Sequence, residues 1–385
     1  MSAAGSTAPA TTHAPVTAPD GEPRRSPSGT FAETPADLAE LEELYARVAT
    51  WVAGLRDRES GGFFYSRSAA STPGFAPDIE STAMAVRVLA AVGPLAELPE
   101  EVTRGVVAFL RARQDPATGY FLDADPAMRQ QERLRGRALQ MATATLARLG
   151  SAPAHPLPAV GTADTAHLAS PDAFAAWLDA RDWTSSWHAQ DNLQAQASLI
   201  ALLPPKDRDA LVEVAIDDVA ARQDPGTGFA GDGVPYNRLS GSFKFALFCR
   251  AFGREVPRAA EIRAAAFEVI RTEDCLDACW LRNPVELLDV VGTQLGGLTE
   301  DERRELTAIS TANARRFART DGGFSRHVDA SSPSPNGVRL GLGLAEGDMN
   351  ATVQLVDIVR PTLYRLNGLE APPLGPLPAD AWSGA

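Results

Sequence analysis

The chain has 385 residues, of which 44% are hydrophobic and 22% charged, and it carries a formal net charge of −13 at pH 7. Such acidity argues against nucleic acid or an anionic membrane surface as the main partner, and no run approaches the roughly 18 consecutive apolar residues of an integral membrane helix. Three cysteines, an odd number in a long chain, make no disulfide framework and suit a reducing, cytoplasmic compartment.

Residues 1–33 are predicted to form a disordered tail: they are rich in Ala, Pro, Thr, Ser and Gly, and no apolar run precedes Arg24-Arg25 that would suggest a signal peptide. Order is predicted to begin at Thr34-Pro35-Ala36-Asp37, with Thr34 as N-cap and Pro35 in the first helical position. Leu38, Leu41, Leu44, Tyr45, Val48 and Trp51 then share one helix face. The phrase Arg58-Glu59-Ser60-Gly61-Gly62-Phe63 follows, and a second helix is expected from Asp78-Ile79-Glu80-Ser81-Thr82.

The phrase returns as Arg113-Gln114-Asp115-Pro116-Ala117-Thr118-Gly119-Tyr120-Phe121. A Pro- and Ala-rich surface connection over residues 150–170 leads to a clear helix start at Ser170-Pro171-Asp172. Degenerate copies stand at Ala180-Arg181-Asp182-Trp183 and Ile270-Arg271-Thr272-Glu273-Asp274, and fuller ones at Arg222-Gln223-Asp224-Pro225-Gly226-Thr227-Gly228-Phe229 and Arg319-Thr320-Asp321-Gly322-Gly323-Phe324. Asp191-Asn192-Leu193-Gln194 is a loose second-helix start, Tyr236-Asn237 reads as a rim loop, and Asp348-Met349-Asn350-Ala351-Thr352 opens the last helix. Residues 371–385 read as a Pro-rich C-terminal tail.

Units spaced roughly 45–65 residues apart are the signature of a repeat architecture, because a lone helix–glycine turn–helix unit buries neither of its apolar faces. No segment sustains the period of two that a strand requires, so the chain is predicted to be all-α. Six helical hairpins close most naturally into a ring, a single α/α toroid over residues 34–370.

Hairpins with Gln-x-x-x-x-Gly-aromatic turns, followed by a helix beginning Asp-x-x-x-Thr, resemble the repeats of the terpenoid cyclase and protein prenyltransferase toroids over most of residues 40–368. The resemblance implies a central cavity whose mouth is framed by the starts of the inner helices. It also implies an isoprenoid diphosphate as a small anionic substrate and a cyclase-like or prenyltransferase-like reaction. On that reading Arg137, Lys244 and Arg282 bind the diphosphate, Asp191 and Asn350 complete the binding set, and Asp78, Asp277 or Asp348 supplies a proton or a metal contact. Aspartates at helix starts have a second reading, as caps of backbone N–H groups. Arg137 and Lys244 lie in stretches expected to be buried, where a cation needs an anionic partner from the protein or from a ligand.

The family's catalytic motifs are incomplete in this chain. Asp123-Ala124-Asp125-Pro126 lacks the final residue of an Asp-x-Asp-Asp acid, and Asp217-Asp218-Val219-Ala220-Ala221 lacks the third carboxylate of a magnesium site. Asp277 and Cys279 match the first part of a zinc-binding Asp-x-Cys, but Asn350 stands where the histidine belongs, and His327 is the nearest substitute. Magnesium, zinc and no metal are therefore all open as cofactor expectations. Helical toroids also carry carbohydrate lyases and hydrolases, and His188 or Tyr236 beside Arg137, Lys244 and Asn350 would suit a substrate containing uronic acid. A non-catalytic scaffold is the third reading.

Overall fold

The computed structural model describes residues 35–159 and 162–375 together with Trp382. The N-terminal stretch read as a tail, Thr34 included, lies outside them, as does most of the C-terminal stretch, in which Trp382 is buried. Among the described residues the chain is helical, with isolated β-bridges and no strand. The main helices are α1 (Ala36–Tyr45), α2 (Val48–Ala53), α3 (Ile79–Val92), α4 (Glu100–Ala112), α5 (Glu132–Arg148), α6 (Pro171–Asp179), α7 (Ser186–Ala195), α8 (Pro205–Ala221), α9 (Pro235–Ala251), α10 (Ala259–Thr272), α11 (Ala278–Gln294), α12 (Glu300–Phe317), α13 (Met349–Val353) and α14 (Arg360–Leu366). A π-helical stretch, Gln354–Val359, joins the last two.

Two kinds of helix alternate. α4 buries a single stripe of Val102, Val106, Phe109 and Leu110 and leaves Glu100, Glu101 and Arg104 exposed, as expected for a helix with one face in water. α9 instead buries Leu239, Phe243, Phe245 and Phe248 together with Ser240 and Lys244, so it is enclosed on all sides. The enclosed helices pack in succession: α3 on α5, α5 on α7, α7 on α9, α9 on α11, α11 on the π stretch, and α13 back on α3. The one-faced helices pack against them, with α4 on α5, α10 against α9 and α11, and α12 against both α11 and α1. The apolar core is built from residues of both sets, such as Val106 and Phe109 of α4 and Phe243 and Phe245 of α9.

The recurrent phrase is a two-bond turn. In the first copy the Asp57 amide donates to the Gly62 carbonyl and the Gly61 amide to the Asp57 carbonyl, both at 2.9 Å. The same pair recurs at Asp115 with Tyr120 and Gly119, and at Asp224 with Phe229 and Gly228; the copy at Arg319 is one residue shorter. The following aromatic side chains, Phe63, Phe121, Phe229 and Phe324, are all buried.

The Asp-x-x-x-Thr pattern has an equally plain origin. Asp78 caps α3 by accepting from the Ser81 amide at 2.8 Å, and the Thr82 hydroxyl accepts from the Phe63 amide at 2.9 Å, tying the turn to the helix. Asp348 and Thr352 repeat both bonds with Ala351 and Phe324. Ser170 caps α6 as the sequence predicts.

Three local expectations need correction. α1 starts at Ala36 with Pro35 before it, because Pro35 adopts an extended ψ of 138° and does not enter the helix. Asp191 lies inside α7, whose first residue is Ser186. Tyr236 and Asn237 lie in the first turn of α9, opened by Pro235, and not in a loop.

Gly61 has a φ of +80°, and a Cβ there would stand 2.5 Å from the carbonyl of Gly105 in α4. Gly61→Ala is therefore expected to cost about 1–3 kcal/mol, from left-handed strain plus forced separation of turn and helix, read as a lower denaturation midpoint.

Candidate functional site

The enclosed helices and neighbouring loops line a cavity of about 570 Å³. Each contributes side chains: Met84 and Arg87 from α3, Arg137 and Met141 from α5, Trp187 and Gln194 from α7, Lys244 and Leu247 from α9, Trp280 and Arg282 from α11, and Asn350 from α13. The π stretch adds Gln354, Asp357 and Ile358, and Arg326 enters from the loop after the last glycine turn. Six cationic side chains thus line the cavity (Arg87, Arg137, Arg148, Lys244, Arg282 and Arg326), against one carboxylate, Asp357.

Four further carboxylates stand behind this lining. Asp191 is fully buried and shared, with Lys244 Nζ at 2.7 Å, Arg133 Nη1 at 3.1 Å and Arg137 Nη1 at 3.9 Å. Burial alone would raise the Asp191 carboxyl, but Lys244, Arg137 and Arg133 together hold it well below the usual carboxylate range. Arg137 also donates twice to Glu80, at 3.0 and 2.8 Å. Arg282 pairs with Glu286 at 2.6 Å, and Arg326 with Asp277 at 2.6 Å while donating to Asn350 at 3.0 Å. Burial lowers the Lys244 ammonium even beside Asp191, with Arg137 and Arg282 adding to the effect. Arg87 pairs with Asp357 at 2.7 Å, so five of the six lining cations each have a carboxylate partner, and Arg148 has none within salt-bridge distance among the described residues.

The candidate residues divide into two groups. Arg137, Lys244, Arg282, Asn350 and Cys279 meet on the cavity wall, with Asp191 and Asp277 directly behind it. His188 is exposed outside the lining, its ring beside Trp187. Tyr236 is buried, stacked on Trp280 with 4.6 Å between ring centroids, and burial followed by the neighbouring Cys275 pushes its hydroxyl up. Asp348 is fully buried and committed to the amides of Ala351 and Arg326. Asp78 faces a different cavity.

Asp277 and Cys279 do not fit a metal site. Arg326 donates to Asp277 at 2.6 Å, and the nearest imidazole nitrogen, His327 Nδ1, is 3.6 Å from the same oxygen. Burial pushes the Cys279 thiol up, while Arg326 and then Arg282 oppose it. Among the described residues no three His, Cys, Asp or Glu side chains are grouped to hold an ion.

Arg133 and Arg326 are not among the residues that the sequence singles out, whereas Asp123 is read there only as part of an incomplete acid motif. Arg326 directly follows a glycine–aromatic turn, which is the signal that would have found it. No family model matches the chain, and no curated protein matches it.

Proposed function

We propose that the chain is an α/α toroid of the terpenoid cyclase and prenyltransferase kind that binds an amphiphilic anion, an isoprenoid diphosphate, in its central cavity. The cyclic packing of the enclosed helices supports the ring. The observation that carries the ligand class is the lining itself: Arg137, Lys244 and Arg282 face the cavity while their carboxylate partners stand behind them. Guanidinium and ammonium groups so placed would hold a diphosphate and stabilise the charge that gathers on its bridging oxygen as a carbon–oxygen bond breaks. Met84, Met141, Leu247, Val353 and Ile358 would receive the hydrocarbon. The faces of Trp187 and Trp280 would stabilise a developing cation. Three free cysteines suit a cytoplasmic location, and among the described residues no helix is long and apolar enough to cross a membrane.

The same two tryptophans favour a second reading, a sugar carrying a carboxylate, because aromatic faces also receive sugar rings. Its weakness is the base: the His188 ring lies outside the lining and the Tyr236 hydroxyl sits beside Cys275.

Thermal shift with geranylgeranyl diphosphate, pyrophosphate and an unsaturated uronate disaccharide separates the readings. A single-site ligand at a hundred times its dissociation constant adds about 2.7 kcal/mol to stability. Stabilisation by the diphosphates, lost in Lys244→Met, is the expected result. Stabilisation by the uronate alone would replace the reading with the carbohydrate one, and no shift with any of them would leave a scaffold whose cations serve only their carboxylates.

A further inference from the structure

A second cavity, of about 360 Å³, adjoins the first; Met84, Asn336 and Asn350 line both. Its walls are largely apolar, with Tyr65, Phe75, Met84, Met128, Leu134 and Val338. Its charged groups have the opposite balance to those of the first: Asp78, Glu80, Asp123 and Asp125 against Arg113 and Arg339.

Most of these charges are already engaged. Asp123 takes Arg113 Nε on one oxygen at 3.0 Å and the Ile79 amide on the other at 3.0 Å. Glu80 is held by Arg137, Asp125 accepts from the Ala127 amide at 2.8 Å, and Arg339 lies over the Phe75 ring. Asp78 remains. It is 5% exposed and its Oδ1 accepts from the Ser81 amide; its Oδ2 and the Ser81 hydroxyl, which lines the same cavity and favours the ionised carboxyl, are both left without a well-formed hydrogen bond among the described residues. A buried oxygen left bare costs stability unless something donates to it.

We propose that this cavity is a binding site for a small apolar amine, whose ammonium group donates to the bare oxygen of Asp78 while its hydrocarbon packs on Phe75, Met128 and Leu134. A hydrogen-bond donor satisfies the orphan oxygen, and its positive charge pairs with the carboxylate that binding recruits. The apolar walls exclude a strongly hydrated metal ion and suit a carbon skeleton.

The site has a proton signature. Burial, then Asp123, pushes the Asp78 carboxyl up to about 8, so at neutral pH it is mostly uncharged, and Glu80 acts in the same direction. Ammonium binding recruits the carboxylate and so releases a proton. Affinity should therefore rise by about tenfold per pH unit on approaching pH 8 from below, and level off above it.

The test is calorimetry of the full chain with cyclohexylamine, using cyclohexanol and cyclohexanecarboxylate as neutral and anionic controls, in two buffers of different ionisation enthalpy. The amine alone is expected to bind, with proton release at pH 7. Asp78→Asn keeps the helix cap, since asparagine caps as well as aspartate, and should weaken the amine by about tenfold or more. Leu340→Trp, on the cavity's loop wall, should block it independently. Lys244→Met should leave it unchanged, so this site and the diphosphate reading fail separately. Cyclohexanol binding as well as the amine, or unchanged amine affinity in Asp78→Asn, would overturn the proposal.

Discussion

Asp191→Asn is expected to destabilise the fold by about 3–5 kcal/mol, measured by urea denaturation at pH 7. The carboxylate is fully buried and shared by Lys244, Arg133 and Arg137, and among the described residues no other carboxylate within salt-bridge distance serves Lys244 or Arg133. Removing the charge strands cations that folding has already stripped of water, which costs more than the pair itself contributes. Lys244→Met should cost much less, because Asp191 keeps two guanidinium partners and the methionine replaces a long, largely buried stem. The sign of the pH dependence follows from the depressed Asp191 carboxyl: its contribution is present above the ordinary aspartate range and is lost as pH falls toward the folded-state value. Inorganic phosphate should rescue Asp191→Asn more than it stabilises the wild type, since the variant's cavity is more positive. A variant as stable as the wild type would mean that these cations are solvated.

Asp78→Asn is expected to act in the opposite direction, increasingly as pH rises above about 4. The folded-state carboxyl is raised to about 8, from an ordinary 3.8, so the folded protein holds a proton that the unfolded chain has lost. The stability tied to that proton is complete below about pH 4 and is lost as pH rises through about 8. Asp123, raised to about 6 by burial, adds to the same slope. At pH 8 the variant should be more stable than the wild type by a few kcal/mol, and at about pH 4 or below the two should nearly coincide. Equal destabilisation at both pH values would show that the substitution damages the cap of α3 and that the carboxyl carries no pH dependence.

The helical class and the repeat were legible because they rest on local chemistry. A glycine that must take a left-handed φ and an aromatic that must be buried recur in each full copy of the turn, as at Gly61-Gly62-Phe63. The sequence also marks Arg137 and Lys244 as cations in need of an anion, and each has one, Glu80 and Asp191. What it could not supply was pairing between hairpins. Asp123 looks incomplete beside Asp125, because the carboxyl it faces is Asp78, brought over from the preceding hairpin. Tyr236 and His188 are suitable types for a base near the cavity, but the local turn of α9 and the exposed face of α7 carry them outside the lining. Asp277 and Cys279 keep the spacing of a metal motif, while Asp277 is paired with Arg326, an arginine from a later loop. Spacing along one helix reads well; which side chain arrives from another repeat does not.

The most direct test is a crystal structure of the protein soaked with geranylgeranyl diphosphate. The account requires diphosphate density in the first cavity, within hydrogen-bond distance of Arg137, Lys244 and Arg282, with the hydrocarbon running along Met84, Met141 and Leu247. Diphosphate bound elsewhere on the chain, with those three side chains still turned to Glu80, Asp191 and Glu286 alone, would contradict it.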